Sequence, residues 1–190
     1  MDWNKAKKEL EKKLDPSHVK PPPQGKYGEY IEGWHAIAEA NRIFGFGGWT
    51  DEYSHELVSA ETNAKGNNVV TYMCKARVTV DGVVREGFGT GEGIAKMLGA
   101  AHEGAIKEAE TDALKRALRK FGNPFGLALY DKTKASVGRE IPQAVLDAAM
   151  GAETLESLVT VWNANKEWQT DPEFQAAKDT RKIELTKEAA

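Results

Sequence analysis

The chain has 190 residues, 41% of them hydrophobic, and a formal charge of −3; such a length and content support a packed core with appendages and exclude a fibrous or disordered chain. A single cysteine, Cys74, set among apolar residues, excludes an internal disulfide framework and predicts a small buried hydrophobe in a reducing compartment. No apolar stretch is long enough for a secretory signal or a membrane span, so the protein is expected to be cytoplasmic and free of membrane contact.

The elements follow in chain order. Residues 2–14 alternate lysine and glutamate around Trp3, Ala6, Leu10 and Leu14, which predicts an amphipathic helix stopped by Asp15-Pro16. Pro21-Pro22-Pro23 predicts a stiff extended connector. From Tyr30 to Phe44 a second helix is expected, with Tyr30, Trp34, Ile37, Ala38 and Phe44 on its inner face and Gly45, Gly47 and Gly48 beyond its end. Trp49–Ala60, Asn68–Val80 and Val83–Thr90 are rich in Val, Thr, Tyr and Phe and read as three strands. Asp81-Gly82 between the last two is a two-residue hairpin signal. Helical spacing returns from Glu92 to Phe121, where Ile94, Leu98, Ala101, Ala105, Ala109, Ala113 and Ala117 form a stripe, and Gly122-Asn123-Pro124 should close it with a left-handed glycine cap.

That order predicts an α+β domain, a three-stranded antiparallel meander packed against one long helix. Helices are then expected at residues 142–150 and 153–165 and from Thr170-Asp171-Pro172 to about Lys187, with Leu155, Leu158, Trp162 and Phe174 buried between them. Three regions result: residues 1–25 as an N-terminal helix and connector, 26–135 as the working domain, and 136–190 as a helical tail.

Charge is distributed unevenly over these regions. Residues 1–139 hold 21 Lys and Arg against 19 Asp and Glu, whereas residues 140–190 hold 5 against 10, so the acid sits in the tail. Residues 113–134 carry Lys115, Arg116, Arg119, Lys120, Lys132 and Lys134 against Asp131 alone. Lys115 and Arg119 lie four apart, as do Arg116 and Lys120, so the last turns of the long helix present two basic ridges suited to a phosphate backbone. Basic last turns also offset the helix dipole, and that plainer role accounts for the same charges equally well.

Gly87-Phe88-Gly89-Thr90-Gly91-Glu92-Gly93 is expected to be a flexible turn between strand and helix. It superficially suggests a nucleotide-binding loop, but an antiparallel hairpin precedes it and no Gly-Lys-Ser/Thr follows. The early aromatics Tyr27, Tyr30, Trp34, Phe44, Phe46, Trp49 and Tyr53 could stack on unpaired bases, although most are expected in the core. The four histidines lack metal-ligand spacing, and no nucleophile–base or paired-carboxylate arrangement stands out. No metal, no cofactor and no catalytic residue is expected, and the protein is read as a binding protein, not an enzyme.

Several segments together resemble the annealing domain of the RAD52 recombination family: Tyr30-Ile31-Glu32-Gly33 with Ala40-Asn41, Phe44-Gly45 and Gly48-Trp49; Ala76-Arg77-Val78; Gly89 to Gly93; Thr111-Asp112 through Leu114-Lys115-Arg116-Ala117-Leu118-Arg119 to Phe121-Gly122-Asn123; and Asp131-Lys132. They span residues 27–134 in the family's order. The resemblance implies a homo-oligomeric ring whose basic groove holds single-stranded DNA by its backbone and anneals complementary strands without ATP, in recombination and repair. It places Lys115, Arg116 and Arg119 at the family's inner groove contacts, with Lys120 beside them, and Lys96 at an outer contact. His35 stands where the family usually has a groove arginine, and Lys65 is a candidate for a lysine expected before the middle strand. The acidic helical tail looks like those of phage recombination proteins, which implies a phage or bacterial type and a protein partner for the tail. The alternatives are a single-strand or structured-RNA binding module without annealing activity, and a nucleotide-dependent enzyme using the Gly87–Gly93 segment.

Overall fold

The computed structural model describes residues 1–22 and 27–188, so Pro23, the last residue of the expected stiff connector, lies outside the described residues. By contacts the chain divides into two units, Met1–Arg139 and Glu140–Ala190.

In the first unit, helix α1 (Trp3–Glu11) is capped by Asp2, whose carboxylate accepts the amides of Asn4 and Lys5 at 3.0 and 3.2 Å, and it buries Ala6 and Leu10. The segment is no free appendage, because Leu10 and Leu14 pack into the main core. Two short strands, β1 (Val19–Lys20) and β2 (Tyr30–Ile31), pair antiparallel. Tyr30 therefore belongs to a strand, and helix α2 starts later than expected, at Gly33, and runs to Phe44. Its buried face also differs from the expected one. His35, Ala36, Ala40 and Phe44 turn inward, whereas Trp34 is 59% exposed and Ile37 is exposed as well. At its start α2 lies close against the long helix, where a Cβ on Gly33 would be 2.7 Å from Thr111 Cγ2, and this sets which face turns inward.

The sheet is β3 (Trp49–Thr62), β4 (Asn68–Val80) and β5 (Val83–Ala95), antiparallel and in sequence order. Asp81 (φ 48°) and Gly82 (φ 80°) both adopt left-handed conformations, as the two-residue turn between β4 and β5 requires. Residues Val70, Cys74, Ala76, Val78 and Val80 of β4 are fully buried beneath helix α3 (Leu98–Leu118). This is the expected α+β arrangement of a three-stranded meander against one long helix.

The glycine-rich segment corrects the sequence expectation. Gly87, Gly89, Gly91 and Gly93 occupy alternate positions of β5, all facing α3, so the strand continues to Ala95 and the helix begins six residues later than Glu92. A Cβ at any of the four would lie 1.9–2.4 Å from α3 backbone atoms. Opposite them Ala101, Ala105, Ala109, Ala113 and Ala117 are completely buried. Small residues on both surfaces let the helix backbone rest directly on the strand. No phosphate-cradling loop exists there, and Ile94 and Leu98 point to solvent instead of extending the alanine stripe. Gly122 likewise is not a left-handed cap: its φ is 169°, and its lack of a side chain accommodates the Leu10 carbonyl, 2.4 Å from where a Cβ would sit.

The second unit comprises α4 (Gln143–Met150), α5 (Leu155–Ala164) and α6 (Pro172–Glu188), with Pro172 opening the last helix as expected. Thr154 and Ser157 form a reciprocal cap on α5. A separate core joins Ile141, Ala149, Ala152, Leu158, Phe174 and Leu185, and Trp162 stacks on Phe174 at 4.9 Å. Leu155, expected inside, is exposed.

Candidate nucleic-acid interface

The end of α3 places Lys115 and Arg116 along one wall of a groove, and Tyr30 of β2 and Tyr130 line it too. Helical geometry explains the cations' placement. Ala113, Leu114, Ala117 and Leu118 form the buried ridge, so Lys115 and Arg116 between its turns and Arg119 just beyond it are turned outward. The groove is open, about 690 Å³, and extends along α3 past Thr111 to Lys107, with Tyr27 and Gly28 at its rim. A narrower recess of about 80 Å³ adjoins it beside Arg119, Phe125 and Leu129.

Each cation has its own environment. Arg116 Nε donates to Asp112 Oδ2 at 2.9 Å, an i,i+4 ion pair. Lys115 Nζ lies 5.3 Å from the centre of the Tyr30 ring. The Arg119 guanidinium lies 4.2 Å from the Tyr130 ring centre and donates to the Tyr130 hydroxyl. Lys134 pairs with Glu29 at 2.6 Å. Glu29, Glu108 and Asp112 also line the groove, so the surface mixes signs, with aromatic rings backing two of its cations. Such a groove offers phosphate oxygens ionic donors and offers bases flat apolar faces.

The other candidate residues lie elsewhere. Lys120 follows the end of α3 and donates to the Glu86 carbonyl on β5 rather than lining the groove. The expected second ridge through Arg116 and Lys120 does not form, because the helix ends at Leu118. His35 is 6% exposed and stacks on His18 with ring centres 4.0 Å apart. Burial, then the neighbouring His18, holds its pKa below the ordinary histidine value, so it is a neutral ring where an arginine would be charged. Among the described residues its Nε2 has no hydrogen-bond partner, and the recess it lines is formed with Lys12, Asp15, Glu39 and Arg42, separate from the Lys115 groove. Lys65 sits in the β3–β4 turn, and Lys96 follows β5; Asn68 pairs with both Thr62 and Ala95, which brings the two lysines to one end of the sheet. Gly87 packs against Ala113 and Ala117 whereas Gly93 packs against Ala101, and Lys96 lies nine strand residues beyond Gly87, so that end is roughly 30 Å from Lys115 and Arg116.

Sequence reasoning missed Lys107, Thr111 and Tyr130 as groove residues. Lys107, Thr111, Lys115 and Arg119 recur every four positions, a ridge that a longer helical projection reveals. Tyr130 carries no such signal, since its place depends on the turn at Gly126 (φ 89°) folding residues 127–130 back beside α3. Among the described residues no helix is long and apolar enough to cross a membrane, and no group of three or more His, Cys, Asp or Glu could hold a metal ion.

Comparison with known proteins places this architecture. The sequence matches the Rad52/22 family of double-strand break repair proteins over residues 2–144, which covers the first unit and only the start of the second. It is 48% identical over 106 residues to the DNA repair and recombination protein RAD52 of Eremothecium gossypii, covering 54% of this chain and 24% of that protein. It is 41% identical over 130 residues to RAD52 of Saccharomyces cerevisiae, covering 65% of this chain and 27% of that protein. It is 40% identical over 138 residues to the DNA repair and recombination protein rad22 of Schizosaccharomyces pombe, covering 69% and 29%. The chain thus spans about a quarter of the length of these relatives. All three are fungal, which does not bear out the phage or bacterial type suggested by the acidic tail. By its match over three quarters of its length, the chain belongs to the Rad52/22 family of double-strand break repair proteins.

Proposed function

We propose that this protein binds single-stranded DNA through the Lys107–Arg119 face of α3 and anneals complementary strands without nucleotide hydrolysis, as a homo-oligomeric ring. The observation that carries the reading is the groove in which Lys115 and Arg116 share one wall with Tyr30 and Tyr130, continued by the recess that Arg119 lines. Backbone capture by cations leaves base edges free to pair, and no covalent step or cofactor is required. Weak grooves repeated around a ring add by multivalency into tight, salt-sensitive binding. Lys65 and Lys96 form a second basic contact at the far end of the sheet, whereas Lys120 and His35 contribute indirectly, one held on β5 and the other buried.

The test is a salt titration of binding to a labelled oligothymidylate, together with annealing of complementary oligonucleotides without ATP. Arg119→Ala and Lys115→Ala each lower affinity regardless of base sequence and reduce the slope of log K against log salt by about 0.7 per lost phosphate contact. Slopes equal to wild type, or strand annealing no faster than spontaneous, overturn the reading. Electron microscopy of the purified protein tests the ring. The acidic unit is a docking element for a protein partner in this reading. Deleting it should abolish that association while leaving DNA binding intact.

A further inference from the structure

We propose that Tyr130 is a positioning residue that sets the Arg119 guanidinium in the orientation used for backbone phosphate, an inference that rests on the proposed single-strand binding. Arg116 is steered by a partner one helical turn back, but Arg119 is not. It caps α3 at φ −58°, ψ −21°, beyond the last helical residue, where a long arginine side chain has wide rotamer freedom. What fixes its head is Tyr130: the ring centre lies 4.2 Å from Cζ, and the phenol oxygen accepts from Nη1. The same ring that covers one guanidinium face leaves its other edge free to meet an anion, because arginine carries five donors.

The tyrosine's own setting points the same way. Phe125 and Ala128 are buried, and Gly126 turns the chain in a left-handed conformation, so the backbone carrying Tyr130 is anchored. The side chain itself is 67% exposed. An aromatic residue so exposed adds little to the core, and its contact with Arg119 accounts for its place. The contrast with Arg116 is chemical. Asp112 holds Arg116 by cancelling its charge, whereas a phenol holds Arg119 and leaves the full positive charge for a phosphate. Pre-ordering the side chain removes part of the entropy cost otherwise met on binding.

A double-mutant cycle on the full chain tests this, with oligothymidylate affinity read by fluorescence anisotropy across a salt series and folding checked by circular dichroism. Tyr130→Ala is expected to bind about two- to fivefold more weakly with an unchanged salt slope, the range of an exposed cation–π contact. Tyr130→Phe, which keeps the ring, should recover most of that loss. In an Arg119→Ala background Tyr130→Ala should have no further effect. A loss that persists undiminished in the Arg119→Ala background shows direct base stacking and overturns the inference, as does wild-type affinity in Tyr130→Ala. Failure of the wild type to bind defeats the proposed function and this inference together, whereas wild-type binding with additive mutations defeats this inference alone.

Discussion

Replacing Asp112 by asparagine should strengthen single-strand binding, although the residue lines the binding groove. Asp112 Oδ2 accepts from Arg116 Nε at 2.9 Å, with both side chains partly exposed to solvent. An exposed i,i+4 ion pair stabilises a helix by about 0.3–0.5 kcal/mol, which Arg116 gives up when it turns to a phosphate. Removing that competition yields about a twofold gain in affinity for each groove engaged. A carboxylate about 6 Å from a phosphate also repels it by about 0.7 kcal/mol at water-like screening, so neutralising it adds a factor of up to about three. Together, Asp112→Asn should bind about two- to sixfold more tightly, with a steeper salt slope as Arg116 becomes fully available. Asparagine preserves side-chain shape, and the lost ion pair costs too little to unfold the helix. Anisotropy titrations at several salt concentrations measure both quantities. Weaker binding by Asp112→Asn would mean that the carboxylate aims Arg116 at its ligand, and the competition argument would then be wrong.

Three further outcomes follow from the packing. Gly89→Ala places a methyl 2.4 Å from Ala113 N and 2.5 Å from Ala109 O, atoms of rigid backbone, so it should destabilise the first unit by about 2 kcal/mol or more; an unchanged denaturation midpoint would refute the close helix–strand contact. His35 has a folded pKa below its unfolded value, so the unfolded chain binds more protons in acid and stability falls as pH drops through the ordinary value of 6.5. His35→Gln should accordingly lose less stability than wild type between pH 7.5 and 5.5, measured by urea midpoints. A chain ending at Arg139 retains a complete core, and it should unfold cooperatively and keep its oligonucleotide affinity; loss of either would show that the first unit depends on the acidic helices.

Where sequence and structure part, the cause is identifiable. Strand β4 shows every-other-residue burial from Cys74 to Val80, and Asp81-Gly82 makes the turn its sequence specifies, because both are local consequences of side-chain alternation and of φ. In helix α2, Trp34 and Ile37 look like core residues, yet the close approach of Gly33 to Thr111 turns His35, Ala36, Ala40 and Phe44 inward in their place. The glycines of β5 looked like a turn, since glycine usually weakens strands, and only the helix lying on them reveals why four are required.

The basic end of α3 and the acidic bias of the tail were set by the sequence alone, because charge content and helical period need no partner to be read. The tertiary structure decided which cations share a groove. Lys115, Arg116 and Arg119 converge with tyrosines from distant segments, whereas Lys120 is drawn to β5 and Lys96 stands roughly 30 Å away, since side chains meet only where the chain's turns and close packing bring them.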